Sequence, residues 1–256
     1  MINKEGKTME VKEQKSQTNA QPANLRAEQE ATMNNRVLLT GVVKGDPIPG
    51  SELMGEGFSQ LVLSVQRLSS LQDNIPITLS DELIKKHDIK DGKEITIKGQ
   101  YRSFNKLING RSKLMLTVVG KEILDTSPID NPNIIELSGY ICKAPIYRTT
   151  PFNREIADVL IAVNRVFAKS DYIPSIAWGR NARAVQNMQV GEKLNLSGRI
   201  QSREYQKRLD DGSTETRQAY EVSINQLSKE PLPSAFETID PAFLADDEVL
   251  GALGIG

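Results

Sequence analysis

The chain has 256 residues, 25% of them charged, and a formal net charge of −1, a length that suits about two domains of roughly 100 residues each. It contains no run of about 18 apolar residues, which argues against a membrane-spanning helix. The lone cysteine, Cys142, rules out an internal disulfide or a cysteine-based zinc site, suits a reducing compartment, and reads as a small buried hydrophobe.

In chain order, residues 1–35 carry five basic and five acidic residues and no apolar h-region, so a disordered tail without a secretory signal is predicted. From Arg36 the pattern becomes short runs of alternating apolar residues, RVLLTGVVKGDPI, LVLSVQR and DNIPI, then the charged helical stretch DELIKKHDI, then GKEITIKGQYRSF. DTSPIDNP, 125–132, reads as a stiff linker. After it come NIIELSGYICKAPI, VLIAVNR, YIPSIAW, the helical GRNARAVQNM with Asn181 as its expected N-cap, and a hairpin of EKLNLSGRIQSREY and QAYEVSINQL about an Asp-Gly turn. Residues 230–256 hold three prolines, six acids and no base; they read as a disordered acidic tail.

The two halves are copies of one design. Gly41 and Gly139, Pro47 and Pro145, Val65 and Val163, and Pro76 and Pro174 are each 98 residues apart, Gly99 and Gly198 are 99 apart, and Val118 and Val222 are 104 apart. The extra residues belong in loops. Three strands, a helix and two strands is the order of a five-stranded OB barrel. The predicted fold is therefore all-β with one short helix per domain: two tandem five-stranded OB-fold barrels, 36–124 and 133–229, between disordered tails 1–35 and 230–256. Residues 36–132 sum to +1, 133–229 to +4 and the C-terminal tail to −6, so the second copy suits an anionic ligand with which the tail competes.

Alternation sorts the faces. Leu194, Leu196, Gly198 and Ile200 point to the core; Asn195, Ser197, Arg199, Gln201, Arg203 and Tyr205 point away. Tyr172, Pro174, Ile176 and Trp178 share a face, as do Arg165 and Phe167. Single nucleic-acid strands are bound by cations along the phosphates and aromatic rings under the bases. The second copy offers Phe167, Tyr172, Trp178 and Tyr205, with Arg148, Arg154, Arg165, Lys169, Arg180, Arg199, Arg203 and Lys207 near them. Each ring also admits a packing role, and each arginine a solvated one.

The run from NIIELSGYICKAPIYRTTPFNREIADVLIAVNR through DYIPSIAWGRNA to VGEKLNLSGRIQSREY and AYEV resembles the bacterial single-stranded DNA-binding protein family. LSGYICKAP also resembles the related primosomal OB protein, and the two-copy layout looks like clostridial tandem-domain relatives. The resemblance implies non-specific single-stranded DNA binding and protection in replication, recombination and repair, with Phe167, Tyr172, Trp178 and Tyr205 at the family's stacking positions. It implies no cofactor, a cytoplasmic, nucleoid-associated location, and a homodimer that assembles four OB domains; a monomer using copy one as its internal partner is the other possibility. The first copy has Ser69, Asn74, Ser80 and Lys106 at the stacking positions. Its outer face keeps Lys98, Arg102, Phe104 and Lys106, a secondary electrostatic surface or a purely structural half. Phe243, Asp246, Asp247 and Glu248 suggest a tail motif for replication or repair proteins. A weakly binding adaptor is the alternative reading, and RNA uses the same physics as DNA. His87 is the only histidine and no catalytic constellation can be built, so no enzyme is expected.

Overall fold

The structure, a computed structural model, describes residues 33–236 apart from 54, 68, 109, 126, 128, 129, 131, 166–168 and 209–211. The alternating runs form strands β1 (Asn35–Leu53), β2 (Glu56–Gln66), β3 (Gln72–Ser80), β4 (Glu94–Ile108) and β5 (Arg111–Leu124) in the first repeat, with helix α1 (Asp81–Lys86) after β3. The second repeat has β6 (Asn133–Ile141), β7 (Ile146–Thr149), β8 (Glu155–Asn164), β9 (Ser170–Trp178), α2 (Arg180–Val185), β10 (Lys193–Arg208) and β11 (Thr214–Ser228). The short strand β7 was not anticipated from the sequence.

Each repeat closes on itself. β1 pairs with β2, β2 with β3, β3 in parallel with β5, β5 with β4, and β4 with β1 again. β6, β8, β9, β11 and β10 close the same circuit, with β7 added outside β8. Closure removes the strand edges that would otherwise invite association. It also explains a repeated glycine. A Cβ on Gly41 would stand 2.5 Å from the Ser64 carbonyl oxygen, and one on Gly139 would stand 2.6 Å from that of Ala162. At this corner the first strand crosses the second too closely for any side chain. Inside, Leu39, Leu63, Ile75, Ile77 and Ile97 fill one repeat, and Ile135, Ile161, Ile173, Leu194 and Ile200 the other.

The helices start differently. Ser80 caps α1, its hydroxyl accepting from the Leu83 amide. Asn181 was expected to cap α2 but does not. Gly179 precedes α2 at φ 50°, with no side-chain cap, because the chain turns sharply off β9 there and only glycine adopts that backbone without strain. Asn181 lies one residue inside the helix and donates to the Asn225 carbonyl at 3.0 Å, tying α2 to β11.

The repeats join through β1 and β6, which pair antiparallel with Arg36 opposite Glu136, Val37 opposite Ile135 and Leu38 opposite Ile134. Val37 and Ile135 are equivalent residues, 98 apart, so the seam has local twofold symmetry centred on them. One chain thus contains what an isologous dimer would need two copies to form.

The end of the second repeat corrects another expectation. Ser234, Ala235 and Phe236, which fall within the expected disordered tail 230–256, lie against the seam. Phe236 is buried, with Arg36 5.0 Å over its ring. Glu136 accepts from Arg36 and Ser234 side chains and from the Ala235 amide at 2.7–2.8 Å.

Candidate nucleic-acid interface

The second repeat presents the outer face of β7, β8 and β9. On β9, exposed Tyr172 and Trp178, half-buried Pro174 and buried Ile176 share the outer parity and alternate with buried Asp171, Ile173, Ser175 and Ala177. Across the ribbon, Tyr172 faces Ala162, Pro174 faces Leu160, Ile176 faces Asp158 and Trp178 faces Ile156. Strand β7 extends two rows, placing Ile146 opposite Asp158 and Arg148 opposite Ile156. The result is an apolar floor framed by two aromatic rings. Tyr172 is 45% exposed and Trp178 39%, so neither ring is packed inside the barrel, and the stretch of strand from one to the other spans roughly 20 Å.

Charge on this face is partly internal. Arg148 grips Asp158 through Nε at 3.2 Å and Nη2 at 2.9 Å, and both side chains are nearly half exposed. Arg154, Lys169, Arg180 and Lys207 are exposed around it. Behind the ribbon, Glu155 accepts from the Tyr147 hydroxyl at 2.5 Å and from Arg183. That hydrogen bond holds the phenol proton and raises the Tyr147 pKa.

Tyr205 stands apart, on the arm formed by the far ends of β10 and β11, opposite Arg217. It is 37% exposed, with Arg203 5.6 Å from its ring centre; Arg203 also pairs with Glu221. Because β11 runs parallel to β9 with Val222 beside Ser175, the Arg217 level of the arm corresponds to the Ser170 end of β9. Tyr205 therefore belongs to the Tyr172 end of the face.

Several of the cations expected at phosphates are paired within the protein. Arg165 bonds Asp171 through Nε at 2.7 Å and donates to the Ser103 carbonyl at 2.9 Å. Arg199 pairs with Asp73 at 3.2 Å and donates to Gln201 at 2.8 Å. In the first repeat Lys98 is buried beside Glu122, and Arg102 bonds Asp171 at 2.9 Å. Burial pushes the Arg102 and Arg199 pKa values down, though arginine keeps its charge. Arg102, Arg165 and Arg199 bridge the repeats, because the seam brings each fourth strand against the third strand of the other repeat, whereas Lys98 pairs within the first repeat. Phe104 is half-buried and Lys106 exposed. At the remaining repeat positions, the Asn74 amide donates to the Ser202 hydroxyl at 3.0 Å, and Ser80 caps a helix. Phe167, Phe243, Asp246, Asp247 and Glu248 lie outside the described residues.

Sequence reasoning missed Asp158, Ile146 and Ile156 as parts of this face. The parity of β8 holds the signal for Asp158 and Ile156, but nothing announced the four-residue strand that carries Ile146 and Arg148. Among the described residues no group of three or more His, Cys, Asp or Glu side chains is placed to hold a metal ion.

A sequence model of the single-strand binding protein family matches residues 132–229. A single-stranded DNA-binding protein of Clostridium tetani is 35% identical over 81 residues, 29% of this chain and 56% of the relative. Single-stranded DNA-binding protein 1 of Staphylococcus aureus is 36% identical over 81 residues, 29% of this chain and 48% of the relative. The chain thus spans about half the length of these curated relatives. The crystal structure of the wild-type single-stranded DNA binding protein of Thermus aquaticus superposes with a TM-score of 0.61 at 18% identity, covering 78% of this chain and 95% of that one. That likeness shows a shared fold across both repeats.

Proposed function

We propose, on the premise that residues 132–229 form a domain of the single-strand binding protein family, that this chain binds single-stranded DNA without sequence preference and shields it during replication, recombination and repair. The observation that carries the reading is the β7–β8–β9 face: exposed Tyr172 and Trp178 at the two ends of an apolar floor, with cations around it. Unpaired bases stack on rings and lie against apolar side chains, each stacked base contributing about 1–3 kcal/mol. Half-buried Leu160 and Pro174 have no side-chain hydrogen-bonding groups with which to read base edges, so the floor tolerates any sequence. Arg154, Lys169, Arg180, Arg203 and Lys207 neutralise phosphates, and Tyr205 with Phe167 extends the stacking surface.

In this reading 36–124 and 133–229 are two domains of one design joined by 125–132, and the first is chiefly structural. Its serine and asparagine replace the rings, and its Ser103 hydroxyl accepts from the Tyr172 amide at 2.7 Å, fixing the backbone under a stacking residue. Two chains give four domains as a homodimer, and the acidic tail contacts replication or repair proteins in a cytoplasmic, nucleoid-associated complex. The protein acts as a binder and not as an enzyme. Binding of oligo-dT, oligo-rU and duplex DNA, compared by fluorescence anisotropy, tests the proposal. Oligo-dT is expected to bind well above duplex; equal binding to duplex overturns the single-strand reading, and preference for oligo-rU redirects it to RNA. Sedimentation of the full chain tests the homodimer.

A further inference from the structure

Phe152 is 87% exposed, more than any other large hydrophobic side chain among the described residues. It is not on a loose loop. The Thr150 amide donates to the Arg154 carbonyl at 2.8 Å, the Asn153 amide to the Thr150 carbonyl at 2.9 Å, and the Arg154 amide to the Thr150 hydroxyl at 3.1 Å. Pro151 and the left-handed Asn153, φ 56°, fit the same tight turn. This turn joins β7 to β8 and holds the phenyl ring out in water, where it packs nothing in the fold.

Its place in the ladder gives the ring a context. Ile156 faces Trp178, and the Gly179 amide donates to the Glu155 carbonyl at 2.9 Å, so the β8–β9 pairing runs up to the turn. Phe152 is three residues from Glu155, at most about 11 Å of chain. It therefore lies just past Trp178, at the opposite end of β9 from Tyr205. Arg148, Arg154 and Arg180, all exposed, surround this end with cations. An exposed ring among arginines, continuing a line of exposed rings, matches a single strand of nucleic acid better than an acid-poor protein partner.

We propose that Phe152 is a further base-stacking residue, and that the β7–β8 turn is a preformed end-stop that extends the bound strand beyond Trp178. The order along the strand is then Tyr205, Tyr172, Trp178, Phe152. This rests on the single-strand binding reading above and adds a subsite to it.

The test uses the full chain and two variants. Phe152→Ala removes a side chain that contributes no packing, so its unfolding curve should overlay that of the wild type. Its affinity for long oligo-dT should fall about tenfold, one stacked base, while affinity for the shortest oligo-dT that still binds stays unchanged. Phe152→Trp, in a Trp178→Phe background, should be quenched by long oligo-dT and not by the shortest. If the wild type binds oligo-dT but Phe152→Ala binds every length equally well and the Phe152→Trp emission does not move, the subsite is overturned and the binding function stands. If the wild type binds no oligonucleotide, the function itself fails.

Discussion

Asp73 and Asp171, 98 residues apart in the chain, occupy equivalent places in the two repeats, and each is clamped across the seam by both. Both are fully buried. Asp73 is held by Arg67 of its own repeat and Arg199 of the other, and it accepts from the Ser202 amide at 2.7 Å. Asp171 is held by Arg165 and Arg102, and it accepts from the Ser103 amide at 2.6 Å. The symmetry reaches the amides that follow: Asn74 donates to the Ser202 hydroxyl and Tyr172 to that of Ser103. The clamp fixes the two repeats as one unit and sets the backbone of a proposed stacking residue.

Removing either carboxylate leaves two arginines facing each other without their partner. Breaking a buried pair from one side costs about 3–5 kcal/mol. Asp171→Asn and Asp73→Asn should each lower stability by about that amount in urea unfolding. Asp171→Asn should also weaken oligo-dT binding, since the Tyr172 end of β9 loosens with it, whereas Asp73→Asn should not.

The pair Arg148–Asp158 sits on the proposed binding face, where a carboxylate repels phosphate. Asp158→Asn should tighten oligo-dT binding and steepen the salt dependence. The slope of log affinity against log salt should become more negative by about 0.7, one added phosphate contact on a single strand. An unchanged slope would place the strand's phosphates away from Arg148.

The repeats should differ in kind. Tyr172→Ala should weaken oligo-dT binding about tenfold, one lost stack. Asn74→Ala, its equivalent in the first repeat, should leave binding unchanged in the same titration.

Cys142 supplies a pH test. Burial pushes its thiol pKa up, so the thiol stays neutral near pH 7, and the thiolate is the reactive form. Alkylation by iodoacetamide should be slow at pH 7 and rise with pH, with its midpoint above that of a free cysteine peptide.

Much of the fold was legible because the repeat constrains it twice. Gly41 and Gly139 marked one close crossing in two places, and the parity of Leu194, Leu196 and Ile200 gave the core face of β10. Parity also set Tyr172 and Trp178 on one face. It did not reveal what lies across from a face. Arg165 and Arg199 look like solvent-facing cations in their own strands, and only the β1–β6 pairing brings Asp171 and Asp73 within reach of the other repeat's arginines. Strand β7 is too short for alternation to show, so the floor it completes went unseen. Ser234 and Phe236 carry no pattern of their own; their docking depends on Arg36 and Glu136, which meet only once the seam has formed.

Trp178 is the only tryptophan, so its emission reports on the proposed face directly. The full chain, titrated with oligo-dT at rising salt, should show strong quenching at stoichiometric strand, with affinity falling as salt rises. Unchanged Trp178 emission while anisotropy shows the oligonucleotide bound would contradict the account, because the strand would then lie elsewhere than on β7, β8 and β9.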